Sequence, residues 1–222
     1  MRGLARPAAE RVARHLAAAG ALLDGDPAAA LEHARAARRA GSRIAAVREA
    51  VGIAAYLAGE WTEALRECRA ALRMSGDPSL CHVIADCERA LGRPQRAVDV
   101  ARSAQARAVG APWRIELAIV EAGARRDLGQ YDAALAALHA AGVRDDVIEE
   151  WTPRLWYAYA DTLAAAGRAD EAKDWFLAAA RVDDEDSSDA WARYTELAGR
   201  AGGEPTTVEP AGARPVRDDA RP

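Results

Sequence analysis

Strand-forming patterns are missing from this chain. No run of β-branched residues alternates with polar ones over strand length, which excludes a sheet-based fold. Aromatic residues are scarce, 5% of 222 residues with a single Phe, so the core cannot rest on large rings alone. Lys occurs once, as Lys173, and Arg carries nearly all the positive charge. With Ala so abundant, that preference reads as GC-rich codon usage rather than a functional choice. The three cysteines, Cys68, Cys81 and Cys87, are odd in number and have no CxxC spacing, which argues against a disulfide framework. Cys81, His82 and Cys87 match no usual zinc pattern, and buried structural thiols are expected instead. The four histidines, His15, His33, His82 and His139, are scattered, with no nucleophile–base signature around them. Glycine-rich phosphate loops are absent. The acidic run Asp183, Asp184, Glu185, Asp186 lacks the loop pattern of a cation site and reads as solvated linker. No enzyme activity, cofactor or metal is expected. No apolar run reaches membrane-spanning length, and no apolar stretch of signal-peptide type follows Met1. A soluble cytoplasmic protein with no membrane partner is the expectation.

What the chain does have is a register of small residues. Gly25, Gly59, Gly92, Gly129 and Gly167 stand 34, 33, 37 and 38 residues apart. Seven residues before each comes Ala18, Gly52, Ala85, Ala122 or Ala160. Five after each comes Ala30, Ala64, Ala97, Ala134 or Ala172, and twelve after comes Ala37, Ala71, Ala104, Ala141 or Ala179. Small residues at these offsets let antiparallel helices approach closely. A period of this size belongs to helix-turn-helix solenoids. The fold class is therefore all-α: an α-α superhelix of about five helix-turn-helix repeats with a C-terminal capping helix.

Pattern and capping signals divide the chain into first and second helices of each repeat, A and B. The first pair is expected over about Ala8–Asp24 and Pro27–Ala40, with Asp26-Pro27 as a start signal. The next are about Ile44–Ala58 and Trp61–Ser75, then Ser79–Leu91 and Pro94–Ala108. Trp113–Leu128 with Tyr131–Ala141, and Pro153–Ala166 with Ala169–Val182, complete the five. A capping helix is expected over Ser188–Gly199, with Trp191, Tyr194 and Leu197 on one face, fitted to cover the last apolar surface. Residues 1–10 read as lead-in, 11–182 as the solenoid and 183–200 as acidic linker and capping helix. Residues 201–222, rich in Gly and Pro, read as a disordered tail.

The fifth repeat, with Trp156, Tyr159, Ala160, Leu163, Gly167, Ala172, Phe176 and Ala179, resembles the tetratricopeptide repeat (TPR). The second, with Gly52, Gly59, Ala64, Leu65 and Ala71, is similar; the first, third and fourth depart more, with Ala or Arg at the usual large positions. Segments such as ALEHARAARR (30–39) and IAAYLAGEW (53–61) resemble short Ala/Arg-rich TPR proteins of actinobacteria. The resemblance implies a non-catalytic protein–protein interaction scaffold or adaptor. It also implies a concave groove, lined by the A helices, for a peptide or helix of a partner.

In that register the groove positions are Glu49, Tyr56, His82, Asp86, Arg89, Glu116, Arg126, Arg154, Tyr157 and Asp161, with His15 in the first repeat. Arg89, Arg126 and Arg154 would be charged anchors, and Tyr56 and Tyr157 aromatic ones. The competing reading is that these side chains pair with each other between neighbouring A helices. The Lys/Asn clamp that holds chaperone C-terminal tails is not matched, since His15 and Ala19 stand at its first-repeat positions. The alternative function is nucleic-acid (RNA) association through a basic convex ridge of Arg35, Arg38, Arg39, Arg66, Arg69 and Arg73. A net charge of −4 makes nucleic acid the less favoured partner. The charge is uneven, about +5 over residues 1–110 and −9 over 111–222, so a homodimer is possible.

Overall fold

A computed structural model describes residues 5–103, 106, 109–143, 148–184 and 187–201, with the side chains of 200 and 201 left aside. Among these residues it is all-helical. The helices are α1 (Arg6–Leu22), α2 (Pro27–Gly41), α3 (Ala45–Leu57), α4 (Trp61–Ser75), α5 (Cys81–Ala90), α6 (Pro94–Ala101), α7 (Ala111–Asp127), α8 (Tyr131–Ala140), α9 (Thr152–Ala165), α10 (Ala169–Val182) and α11 (Ala190–Ala201). A 3₁₀ turn, Pro78–Leu80, leads into α5. Consecutive helices pack as antiparallel pairs, and α1, α3, α5, α7 and α9 also touch in succession. Repeats are stacked so that each pair buries its apolar face against the next.

Four of the five intra-repeat turns are built alike. In each, a Gly with φ between 72° and 79° follows the A helix: Gly59, Gly92, Gly129 and Gly167. The glycine N–H bonds three residues back and the next residue's N–H five residues back, as with Gly129 to Arg126 and Gln130 to Arg125. These are the two hydrogen bonds of a Schellman motif, and they need a left-handed residue. The first turn also falls at Gly25, where the register puts it, but Gly25 does not take the left-handed conformation. There Asp26 N–H bonds to the Leu22 carbonyl, and the Asp26 carboxylate accepts from Ala29 N–H at 3.0 Å. A side-chain cap before Pro27 replaces the glycine.

The small-residue columns lie in the helix seams. Every described member is buried except Ala18 and Ala141, which are half-buried; Ala104 lies outside the described residues. Gly52 marks the closest approach: a Cβ built there would sit 2.4 Å from Cys68 Sγ on α4. The core divides into a larger cluster over α1–α5 and another over α7–α11. Two small clusters join them, one of Ala85, Ala97, Val98 and Ala124, the other of Cys81, Ala106, Val109 and Leu117.

Two expectations need correction. α6 stops at Ala101 rather than Ala108, after which the Ser103 hydroxyl accepts from Ala106 N–H at 3.2 Å. A local Ser turn of this kind competes with helix continuation. In α11, Trp191 faces outward at 62% exposure. The packing face is Ala190, Tyr194 and Leu197 against the second cluster. Arg193 lies over the Phe176 ring at 4.7 Å, so α11 covers the last repeat. The 201–222 segment lies outside the described residues beyond its first position.

Candidate functional site

The A helices α3, α5, α7 and α9 line one concave cavity of about 540 Å³. Nine of the ten groove residues read from the sequence border it; Glu49 does not, and stands exposed on α3. The register brings them together because each recurs one repeat later on the same face.

Their polar atoms are largely spent on each other. Tyr56 OH donates to Asp86 at 2.7 Å, joining α3 to α5. Arg89 donates to Asp86 at 3.0 Å within α5 and to Asp127 on α7 at 3.3 Å. Arg126 pairs with Asp161, and Arg154 donates to Glu116 at 2.8 Å, both joining α7 to α9. Asp161 also accepts from Arg193 of α11 at 3.0 Å. Tyr157 OH donates to Asp189 at 2.6 Å. The mutual-pairing reading therefore describes the ground state of the groove. Arg89, Arg126 and Arg154 are not free cations; they rivet successive A helices.

Burial and the Asp86 carboxylate push the Tyr56 hydroxyl above its ordinary range. Burial and Asp189 push Tyr157 up to about 12. Both therefore remain protonated donors near neutral pH. His82 donates from Nδ1 to the Ser79 carbonyl at 2.7 Å, which leaves Nε2 as an acceptor. Burial lowers its pKa, so the ring is neutral. It stacks on Trp113 with centroids 5.1 Å apart and planes 18° from parallel.

Trp113 lies outside the set of expected site residues. It is 43% exposed and, with Leu57 at 46%, presents open apolar surface to the cavity. A signal for it does exist in the sequence: Trp113 follows Pro112 in the first turn of α7, on the helix that lines the groove. Asp127, Asp189 and Arg193, also outside the expected set, do not border the cavity but bond to Arg89, Tyr157 and Asp161.

The ridge of the B helices is not uniformly basic. Arg35 and Arg38 bond to Glu63, and Arg38, Arg48 and Arg66 all bond to Glu67, which is fully buried. Arg69 bonds to the fully buried Glu88, which also accepts from Arg93 at 3.3 Å. Arg39 and Arg73 are exposed. The arrangement is an ion-pair ladder across repeats rather than a strip of free cations. Burial holds the Cys68 and Cys87 thiols up to about 12, so neither is a thiolate nucleophile at neutral pH. Among the described residues no group of three or more His, Cys, Asp or Glu is placed to enclose a metal ion, and no helix is long and apolar enough to cross a membrane.

No protein-family model matches the sequence, and no curated protein matches it significantly. Solved structures do. A thermophilic TPR protein of Thermus thermophilus superposes with a TM-score of 0.67 at 20% identity, over 84% of this chain and 98% of that one. The pilF protein of Pseudomonas aeruginosa gives 0.63 at 14% identity, over 89% and 87%. YrrB, a TPR protein with an unusual peptide-binding site, gives 0.53 at 16% identity, over 85% and 90%. Repeat period, left-handed glycine turns and these superpositions agree on one architecture, and by fold the chain is a TPR-type α-solenoid.

Proposed function

We propose that this protein is a non-catalytic scaffold that holds a segment of a partner protein, a peptide or a helix, in the groove lined by α3, α5, α7 and α9. The observation that carries this reading is the concentration of nine register positions and an exposed Trp around one cavity. Surfaces of this shape bind extended peptides or helices through a few anchors surrounded by polar contacts. The peptide-binding site that names YrrB adds support by fold likeness alone. Three free cysteines, all buried, suit a reducing compartment, and a cytosolic location is proposed on that ground.

The pairing within the groove changes which residues anchor a ligand. An acidic ligand would have to break Arg–carboxylate pairs already made, and it would leave carboxylates unpartnered. Open apolar surface at Trp113 and Leu57 needs no such exchange. The anchor is therefore an apolar or aromatic side chain seated against Trp113 over His82, with Arg154, 63% exposed, at the rim. The B-helix ridge is the weaker surface because its arginines are mostly compensated.

Selection of peptides from a phage-displayed random library on the full chain tests this. Selected peptides are expected to carry a shared apolar position and to lose at least tenfold in affinity on Trp113→Ala, a truncation of an exposed aromatic anchor worth about 2 kcal/mol. They should bind Arg39→Glu, Arg73→Glu protein unchanged. Selected peptides that ignore Trp113→Ala, or oligonucleotide binding abolished by the ridge double variant, would move the function off the groove.

A further inference from the structure

The first hairpin carries an arrangement that the groove reading does not use. His15 on α1 and His33 on α2 face each other across the seam, Nδ1 to Nδ1 at 3.1 Å. Their ring centroids are 5.3 Å apart and their planes are tilted by 43°. Both residues are half-buried. Their neighbours one turn away are Arg11, Val12, Ala18 and Ala19 on α1 and Ala29, Ala30, Ala36 and Ala37 on α2, so no carboxylate competes for the rings there. Two imidazole nitrogens at this distance can share one proton, and only when one ring carries it on Nδ1 and the other does not.

We propose that His15 and His33 form an open two-imidazole site for a late divalent transition-metal ion such as Cu²⁺, Ni²⁺ or Zn²⁺. The spacing is the first reason. Metal–imidazole bonds of about 2.0–2.1 Å, set at roughly 90–110° to each other, place the two nitrogens about 2.9–3.4 Å apart. The observed 3.1 Å falls within that bite. The donor type is the second: imidazole suits Cu, Ni and Zn, whereas Mg²⁺ and Ca²⁺ require oxygen. The third is that both donors already stand side by side on facing helices. The two Nδ1 atoms point at each other, and rotation of each ring about Cβ–Cγ would turn both lone pairs toward a shared ion. The shared proton leaves Nδ1 of one ring and Nε2 of that ring takes one up, so both rings bind as neutral Nε2–H tautomers with no net proton change. With no third protein ligand in reach among the described residues, water completes the coordination and the ion exchanges freely. The sequence concealed the site because the two residues are 18 positions apart on different helices, not at i and i+4 on one face.

Calorimetric titration of the full chain with CuCl₂ and ZnCl₂ in a non-chelating buffer, with MgCl₂ as control, tests the proposal. One ion per chain is expected for copper and zinc, with none for magnesium. His33→Gln and His15→Gln should each weaken binding about a hundredfold, because losing one of two tethered ligands removes the chelate advantage. His82→Gln and His139→Gln should leave it unchanged. Circular dichroism confirms that each variant folds, and the electron paramagnetic resonance spectrum of the copper-loaded wild type should show two imidazole nitrogens independently of any variant. Absence of saturable binding, retention of affinity in both His33→Gln and His15→Gln, or a copper spectrum without paired imidazoles would overturn it.

Discussion

Gly52 shows how closely the seams are set. Its helix would gain from a better helix former, since Gly costs about 1 kcal/mol against Ala in a helix interior. The site does not allow it: the added Cβ would fall 2.4 Å from Cys68 Sγ and 3.1 Å from the Cys68 backbone nitrogen. Overpacking of this kind costs about 1–3 kcal/mol, so Gly52→Ala should lower the urea midpoint despite its propensity gain. Cys68→Ala in the same chain should recover part of the loss, because the sulfur is the nearer obstacle; full additivity of the two changes would mean the clash is not what limits the seam. The turn glycines make a second contrast. Gly129 sits at φ 72°, where an L side chain is strained, so Gly129→Ala should cost about 1–2 kcal/mol. Gly25 lies outside the left-handed region with nothing within 4 Å of a built Cβ. Gly25→Ala should be neutral or stabilise by up to about 1 kcal/mol, through the unfolded chain. Thermal melts of the two single variants decide it. A drop in melting temperature at Gly25 as large as at Gly129 would refute the distinction.

At the scale of elements, the helices were largely legible. α4 and α10 have the limits that the pattern implied, because a left-handed glycine, Gly59 or Gly167, stands two residues before each start. α6 was not legible past Ala101: residues up to Ala108 include good helix formers, yet the helix ends there and Ser103 accepts from Ala106 N–H two residues beyond it. The groove positions were legible because they repeat with the fold. Their mutual bonds were half-visible in the same spacing. Arg89–Asp127 and Arg154–Glu116 are each 38 residues apart, and Arg126–Asp161 is 35 apart, each close to one repeat. What the spacing does not say is which side chains reach across, since that depends on rotamers and on inter-helix distance. Glu67 is where the ladder between elements can be tested. It is fully buried on α4 and accepts from Arg38 of α2 and Arg48 of α3, each at 2.6 Å. Glu67→Ala leaves those guanidinium groups facing a hole and should cost about 3–5 kcal/mol. Glu32→Ala, which removes an exposed partner of Arg35, should cost less than about 1 kcal/mol. Equal midpoints for the two in urea would show the buried carboxylate contributes no more than the exposed one.

The ladder also sets how the element responds to acid. Burial alone would lift the Glu63 carboxyl, but hydrogen bonds and charge from Arg35, with Arg38 behind them, outweigh it and hold it below its ordinary value of 4.5. A carboxylate depressed in the folded state stabilises the fold fully above its unfolded value, and that stability is lost as pH falls through the folded value. Melting temperature should therefore be flat from pH 7 to about 5 and fall below about 4.5, with Glu63→Gln reducing the size of the fall. A melting temperature that rises on acidification through that range would contradict the sign.

For the molecule as a whole, stability in a solenoid is a sum over repeats and their interfaces, with no single core to enforce cooperativity. Among the described residues the apolar core divides between the third and fourth repeats. The larger clusters over α1–α5 and α7–α11 are joined there by small groups, one of which is Ala85, Ala97, Val98 and Ala124 around the short helix α6. Val98 is the largest side chain in that group. Val98→Ala should cost about 1–3 kcal/mol at the joint itself. It should also uncouple the halves, so that hydrogen exchange in α9–α11 and in α1–α4 follows two separate urea transitions where the wild type shows transitions closer together. The groove spans that joint, with Tyr56 and His82 on one side and Arg154 and Tyr157 on the other. A peptide bound across it stabilises the interface by mass action and should draw the two transitions together again. If Val98→Ala shifts a single coincident transition without splitting it, the repeats are coupled by the Arg89–Asp127 bridge and the α5–α7 packing strongly enough that α6 is not the hinge of the solenoid.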